Sequence, residues 1–326
     1  MKFNIVIVMA SIFITSIFLT GCASTPTGQI EAFGVAAADV TSKIDIVIND
    51  YNQINIDNKL AKMAQRNKKY TTSDLDPLRK ILIRDADKKN FALYKANKAL
   101  GIYANSLAEL AAAGSREKIA MASVKLSTSL KSMNKNYKII KETSEDLLSD
   151  EKSAEISRVI AEVSSFYSEN KRAKALKKII ISSDTQIQSI GKVINEQLLK
   201  NALESRVYSM RGTVLAGYFD DYNKTTEKKS FASRKKSLDF IYRHYVEMES
   251  TGATILQAQK AITSVMKAHS ILKTELEKDL FSSKRIFKSI GEIITVHKGY
   301  DDLEELMVNC ETEVIVDDKK GIICKG

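Results

Sequence analysis

Cysteines, histidines and a run of lysines are the side chains in this 326-residue chain whose types and spacing invite chemistry. Cys22 closes an apolar N-terminal run, while Cys310 and Cys324 stand alone near the C-terminus. In an oxidising compartment such an isolated pair predicts a disulfide, with free thiols or an intermolecular bond as the alternatives. Closing a loop of about 15 residues contributes roughly 3 kcal/mol through the restricted unfolded chain. A metal site needs more ligands than this tail offers. His269 and His297 lie on apolar seams either side of Ser282, so a turn there brings them towards each other. A shared metal or a pH-sensitive contact is one use of such a pair, and neutral histidines bonded at the edge of a bundle are the simpler one.

Other patterns are weaker. Ser-x-x-Lys, the spacing of serine–lysine acylases, occurs at Ser115/Lys118, Ser149/Lys152 and Ser233/Lys236. Two of these serines stand where helices should begin, which accounts for them without catalysis. Lys224, Lys228, Lys229, Arg234, Lys235 and Lys236 crowd beside Tyr218, Phe219 and Tyr222, and are candidates for holding an anionic surface, the alternative being a solvated loop. The chain has no glycine-rich phosphate loop, no histidine pair at metalloprotease spacing and no Gly-x-Ser-x-Gly elbow. No catalytic residue, metal or cofactor is therefore expected, and the expected protein is not an enzyme.

The N-terminus carries the most specific signal. Lys2 precedes an apolar run from Phe3 to Leu19, interrupted only by Asn4, Ser11, Thr15 and Ser16, and small residues lead into Cys22. That is the layout of a secretory signal, and no cluster of charge follows to halt transfer. Leu19-Thr20-Gly21-Cys22 resembles the lipobox of bacterial lipoproteins: an aliphatic residue, two small residues, then cysteine. The resemblance covers the first 22 residues only. It implies that residues 1–21 are cleaved, that the Cys22 thiol is diacylated and that the new N-terminus is acylated too. Two or three chains anchor firmly, at about 0.8 kcal/mol per buried methylene. By analogy with that family, Ala23 in place of aspartate implies the outer membrane, facing the periplasm. The leader takes one positive charge, Lys2, from the net +10, leaving +9. A basic balance suits lipid headgroups or acidic glycans, and export argues against nucleic acid.

The elements that must position these residues read as helices. Residues 22–29 form a short flexible tether. Phe33, Ala37, Val40, Ile44, Val47, Tyr51 and Ile54 alternate steps of four and three, predicting a helix from about Ile30 to Arg66 with a weak point at the Asn and Asp residues of 49–58. The pattern fails from Asn67 to Asp87, around Pro77, with Asp87 a candidate cap. Leu93 to Leu110 form a clean seam ended by Gly114, where a left-handed residue is expected, and Ser115 should cap the next helix, whose seam runs from Ile119 to Leu147. Further starts fall at Ser149-Asp150 and Ser183-Asp184, the latter dividing a long segment in two. Tyr218 to Lys236 reads as a long loop. The longest seam, Leu238 to Leu276, follows, with Gly252 as its weak point, and Ser282-Ser283 turns the chain into a last helix.

Only Pro26 and Pro77 occur, so nothing after residue 77 opposes long helices. The expected fold is all-α: an antiparallel bundle of long amphipathic helices over residues 30–309, with a small β-hairpin-like tail at 310–326 closed by the disulfide. The expected function is that of a lipid-anchored envelope protein, a scaffold or module that binds an envelope protein partner. A membrane-active, pore-forming-like helical protein and an enzyme with a site assembled from distant helices are the competing classes.

Overall fold

The computed structural model describes residues 25–66, 68–76, 78, 88–165, 168–278, 281–309, 314–317 and 321–324. These residues make an all-α body: α1 (Thr27–Ala64), the single turn α2 (Thr72–Leu75), α3 (Lys88–Ala112), α4 (Arg116–Lys141), α5 (Asp150–Ser165), α6 (Glu169–Val193), a π-helical segment (Ile194–Glu204), α7 (Ser205–Thr225), α8 (Phe231–Leu276) and α9 (Ser283–Asn309). No helix among the described residues is long and apolar enough to cross a membrane.

α8 is the spine. Its 46 residues span about 69 Å at 1.5 Å per residue. Against it runs one continuous helical rod made of α6, the π-helical segment and α7. Contacts step along the two antiparallel elements in order. Asp184 meets His269, Gln188 donates to the Met266 carbonyl, Asn195 to Thr263, and Gln259 to Glu204; Arg211 then pairs with Glu249, and Tyr218 packs on Phe240. The π-helical turns follow from the sequence. Buried Ile190, Ile194, Leu198, Leu199, Leu203 and Val207 recur at close to every fourth residue, a longer period than 3.6. Widening the helix keeps them facing α8 and α3.

α1 packs between α3 on one side and α8 with α9 on the other. The α1–α3 crossing is close because small residues line it. A Cβ at Gly34 would lie 2.5 Å from the Ala104 carbonyl oxygen, and one at Gly101 would strike the Thr41 hydroxyl. The crossing joins a single apolar core running from Ile30 to Ile293. Its polar members are tied across helices: Gln186 donates to the Leu130 carbonyl at 2.7 Å and Gln257 to that of Val296 at 2.6 Å.

Several expectations are corrected. Gly114 does not adopt a left-handed conformation; the end of α3 is closed instead by the Arg172 guanidinium, which donates to the Ala113 carbonyl. The left-handed residue is Glu142, at φ 53° after α4, where the Thr143 N–H returns to the Lys138 carbonyl. Leu147 therefore leaves the α4 seam and sits in the following loop, its N–H bonded to the Asn134 side chain. No helix starts at Ser183-Asp184: both are buried in mid-helix, where their side chains bond across the bundle rather than to their own backbone start. The chain breaks earlier, between α5 and α6. The long loop at 218–236 is mostly helix, because aromatic packing carries α7 to Thr225 and α8 begins at Phe231. α1 runs through 49–58 and α8 through Gly252 without interruption. Ser115 and Ser149 do accept from the Lys118 and Lys152 backbone N–H groups as helix caps. Pro77 and Asp87 lie outside the described residues.

Candidate functional site

Two constellations stand out, one buried at mid-spine and one exposed at its end. In the first, α6 and α8 bring Asp184 and His269 together with Tyr103 of α3. The Asp184 carboxylate accepts from His269 Nδ1 at 2.8 Å, His269 Nε2 lies 2.9 Å from the Tyr103 hydroxyl, and that hydroxyl lies 2.8 Å from Ser183 Oγ. The edge of Phe33 faces the imidazole. His269 is wholly buried and Asp184 is 8 % exposed. Burial pushes the Asp184 carboxyl upward, but the His269 hydrogen bond and charge, Gln188 and Lys273 outweigh it and hold it below the ordinary value. Burial drives the Tyr103 hydroxyl far above its usual range, so it stays protonated.

Acid, imidazole and hydroxyl in this order resemble a proton relay in composition, yet each member is already bonded to the next. The surface grooves described on the body are lined by other residues. A closed chain of hydrogen bonds in low dielectric fixes which turn of α6 lies against which turn of α8 and α3. Its chemistry is that of registration.

The second constellation is the end of the α7–α8 hairpin. Gln65, one residue beyond α1, approaches Gly217. The turn of Thr226–Lys228 and the flanking helix ends thus stand beyond the end of α1. Tyr218, Phe240 and His244 clamp the arms together: Tyr218 meets the Phe240 edge at 5.1 Å and stacks on His244 at 5.2 Å, and Phe240 meets His244 at 4.5 Å. Below them Arg211 stacks on Tyr245 at 4.6 Å while pairing with Glu249. Several large apolar side chains of this hairpin are exposed. Phe231 is 74 % exposed and Tyr242 65 %, and Phe219 and Phe240 are exposed too.

The basic residues expected to act together do share this end. Lys224 is neutralised by Asp220 at 2.5 Å and Lys235 by Asp239 at 2.6 Å. Arg234 donates to the Lys229 carbonyl. Lys228, Lys229 and Lys236 have no ion-pair partner among the described residues, and Lys229 and Lys236 line a groove of about 510 Å³ with Tyr222, Ser233 and Asp221. Ser233 shares a hydrogen bond with the cap Ser230, which removes the acylase reading of that spacing.

The remaining expectations fall elsewhere. Cys22 and Cys310 lie outside the described residues, as does the side chain of Cys324, and so does the side chain of His297. Among the described residues no group of three or more His, Cys, Asp and Glu side chains is arranged to hold a metal ion. His244 and Phe231 have no part in the sequence reading, which gives Asp184 only as a helix start and Tyr103 only as a seam residue. The signal available for His244 was its fourth-residue spacing from Phe240. Compared with known proteins, the chain matches no family model, no curated protein and no solved structure.

Proposed function

We propose that the protein is a lipid-anchored scaffold of a bacterial envelope, acylated at Cys22 and reaching an envelope partner with the far end of its spine. The observation that carries this reading is the placement of the two ends. Gln29, at the start of α1, bonds to Ser283 beside the α8–α9 turn, and the basic, aromatic hairpin end lies at the opposite terminus of α8. The start of α1, from which a tether to Cys22 would lead, and the hairpin end thus lie at opposite ends of α8, about 69 Å apart. Long helices locked in register by a buried polar chain suit a spacer, since a spacer must transmit position without bending.

On this reading the residues before Thr27 link lipid to body, and the tail beyond α9 is a small hairpin closed by a Cys310–Cys324 disulfide. The mature protein works without a cofactor or catalytic site and faces the periplasm from the outer membrane. Fractionation tests the anchor. After a high-salt wash that strips protein held only by charge, the wild-type chain should stay with membranes and the Cys22→Ala chain should not; a variant that resists the wash contradicts it. Crosslinking and purification of the acylated protein from its own membrane should give one reproducible partner, and its consistent absence would count against the scaffold role.

A further inference from the structure

We infer that the end of the α7–α8 hairpin is a docking site for an anionic phospholipid bilayer. The inference rests on the scaffold reading and adds a lipid surface to what the distal end contacts, beside the protein partner that crosslinking recovers; the surface it uses is independent of the lipid on Cys22.

The argument begins with shape. Phe231 is the first residue of α8 and, at 74 % exposure, the most exposed of the large apolar side chains described. It stands on the outermost turn, where a concave partner pocket would have to enclose it but a plane can simply receive it. Burying an aromatic ring of this kind in a bilayer interface is favourable, and aromatic side chains concentrate at that depth. Charge then restricts the choice of plane. Between residues 226 and 236 there are five basic side chains and one acidic one, Glu227. The basic groups flank Phe231 on both sides in sequence, Lys228 and Lys229 before it and Arg234 and Lys236 after it, while Lys235 is paired with Asp239. An apolar tip inside a basic collar matches a membrane surface of anionic lipid, for which each nearby Lys or Arg adds about 1 kcal/mol.

The groove behind the tip supplies a seat for a headgroup. Lys229 and Lys236 line it together with Tyr222 and Ser233. Asp221 also lines it, which favours a phosphodiester carrying a hydroxyl-bearing headgroup over a bare dianion. The acidic side chains on the arms, Asp220 and Asp239, are each taken by a lysine of the same helix and leave the collar positive.

The test uses the chain from Ala23 onward, which contains every described core side chain and cannot be acylated at Cys22. It is sedimented with vesicles of phosphatidylcholine alone or with 30 mol % phosphatidylglycerol. Binding is expected to the anionic vesicles only, and to fall steeply with added salt. Lys228→Gln with Lys236→Gln should lower the partition coefficient about thirty-fold, and Phe231→Ser about ten-fold. Lys118→Gln with Lys135→Gln, the same loss of charge far from the tip, should change it less than three-fold. Circular dichroism confirms that each variant is folded. The inference is overturned if the chain ignores anionic vesicles, if the distant pair weakens binding as much as the tip pair, or if it binds a polyanionic glycan while leaving vesicles untouched. None of these outcomes bears on whether Cys22 is acylated, which fractionation decides separately.

Discussion

Gln29 Nε2 donates to Ser283 Oγ over 3.2 Å, tying the first turn of α1 to the first turn of α9. This bond fixes the end of the body at which α1 begins. It is the end where α8 finishes, so the whole length of α8 separates Thr27 from Phe231.

The same end is organised by one buried carboxylate. Glu275 accepts from Lys278 Nζ at 2.6 Å, from the Ser282 N–H at 2.8 Å and from Arg285 at 3.2 Å. The Lys278 hydrogen bond first, then the Ser282 N–H, hold its carboxyl below the ordinary value of 4.5. A depressed folded value means that this contribution to stability is present above pH 4.5 and is lost as pH falls through the folded value. Glu275→Ala should accelerate amide exchange at residues 281–290 at neutral pH by at least ten-fold, with little change at 231–250. Unchanged exchange at the turn would show that Glu275 does not hold it.

Asp184 and His269 should behave as a pair. Removing Asp184 alone, as Asp184→Ala, leaves a fully buried imidazole without its partner and should cost about 3–5 kcal/mol in urea unfolding. Replacing both by apolar residues, Asp184→Leu with His269→Leu, should cost less than the single change, because no unpaired polar group remains. Since the folded Asp184 carboxyl lies below its ordinary 3.8, its share of stability is fully present above that pH and disappears on acidification below it. A double variant as unstable as the sum of the two single ones would contradict the pairing.

Sequence periodicity located the helices well where a seam had caps. Ser115 and Ser149 marked true starts because a hydroxyl beside a free N–H has one obvious local partner. The same logic failed at Ser183-Asp184. Their partners, Tyr103 and His269, are 80 and 85 residues away in sequence, and no local pattern carries that information. The hairpin end was legible as composition but not as shape. Lysines and polar residues at 224–236 read as a loop, whereas Tyr218, Phe240 and His244 pack across two helices to extend both. His269 was noticed for its place on an apolar seam, which was sound, but its partner proved to be a carboxylate on α6.

The α1–α3 crossing depends on the absence of side chains. Gly34→Val would drive a branched side chain into the Ala104 carbonyl and the Ala108 backbone, so α1 must move off α3. Overpacking of this kind costs about 1–3 kcal/mol, and the backbone position of the clash points to the upper part of that range. Thermal unfolding should fall accordingly. Gly212→Ala, where an added Cβ meets nothing within 4 Å, serves as the comparison and should be neutral or slightly stabilising. Equal losses in the two variants would remove the close crossing as the cause.

We propose that a lipid anchor on Cys22 and the hairpin end act at opposite ends of one rod and contact different surfaces. Acylated protein reconstituted in phosphatidylcholine vesicles, mixed with a second population containing phosphatidylglycerol, tests this when vesicle pairs are imaged by electron cryomicroscopy. The account predicts pairs held apart at a uniform separation on the order of 70 Å, abolished by Lys228→Gln with Lys236→Gln. Vesicles that stay unpaired while carrying the protein, or pairs pressed to less than half that separation, would contradict it.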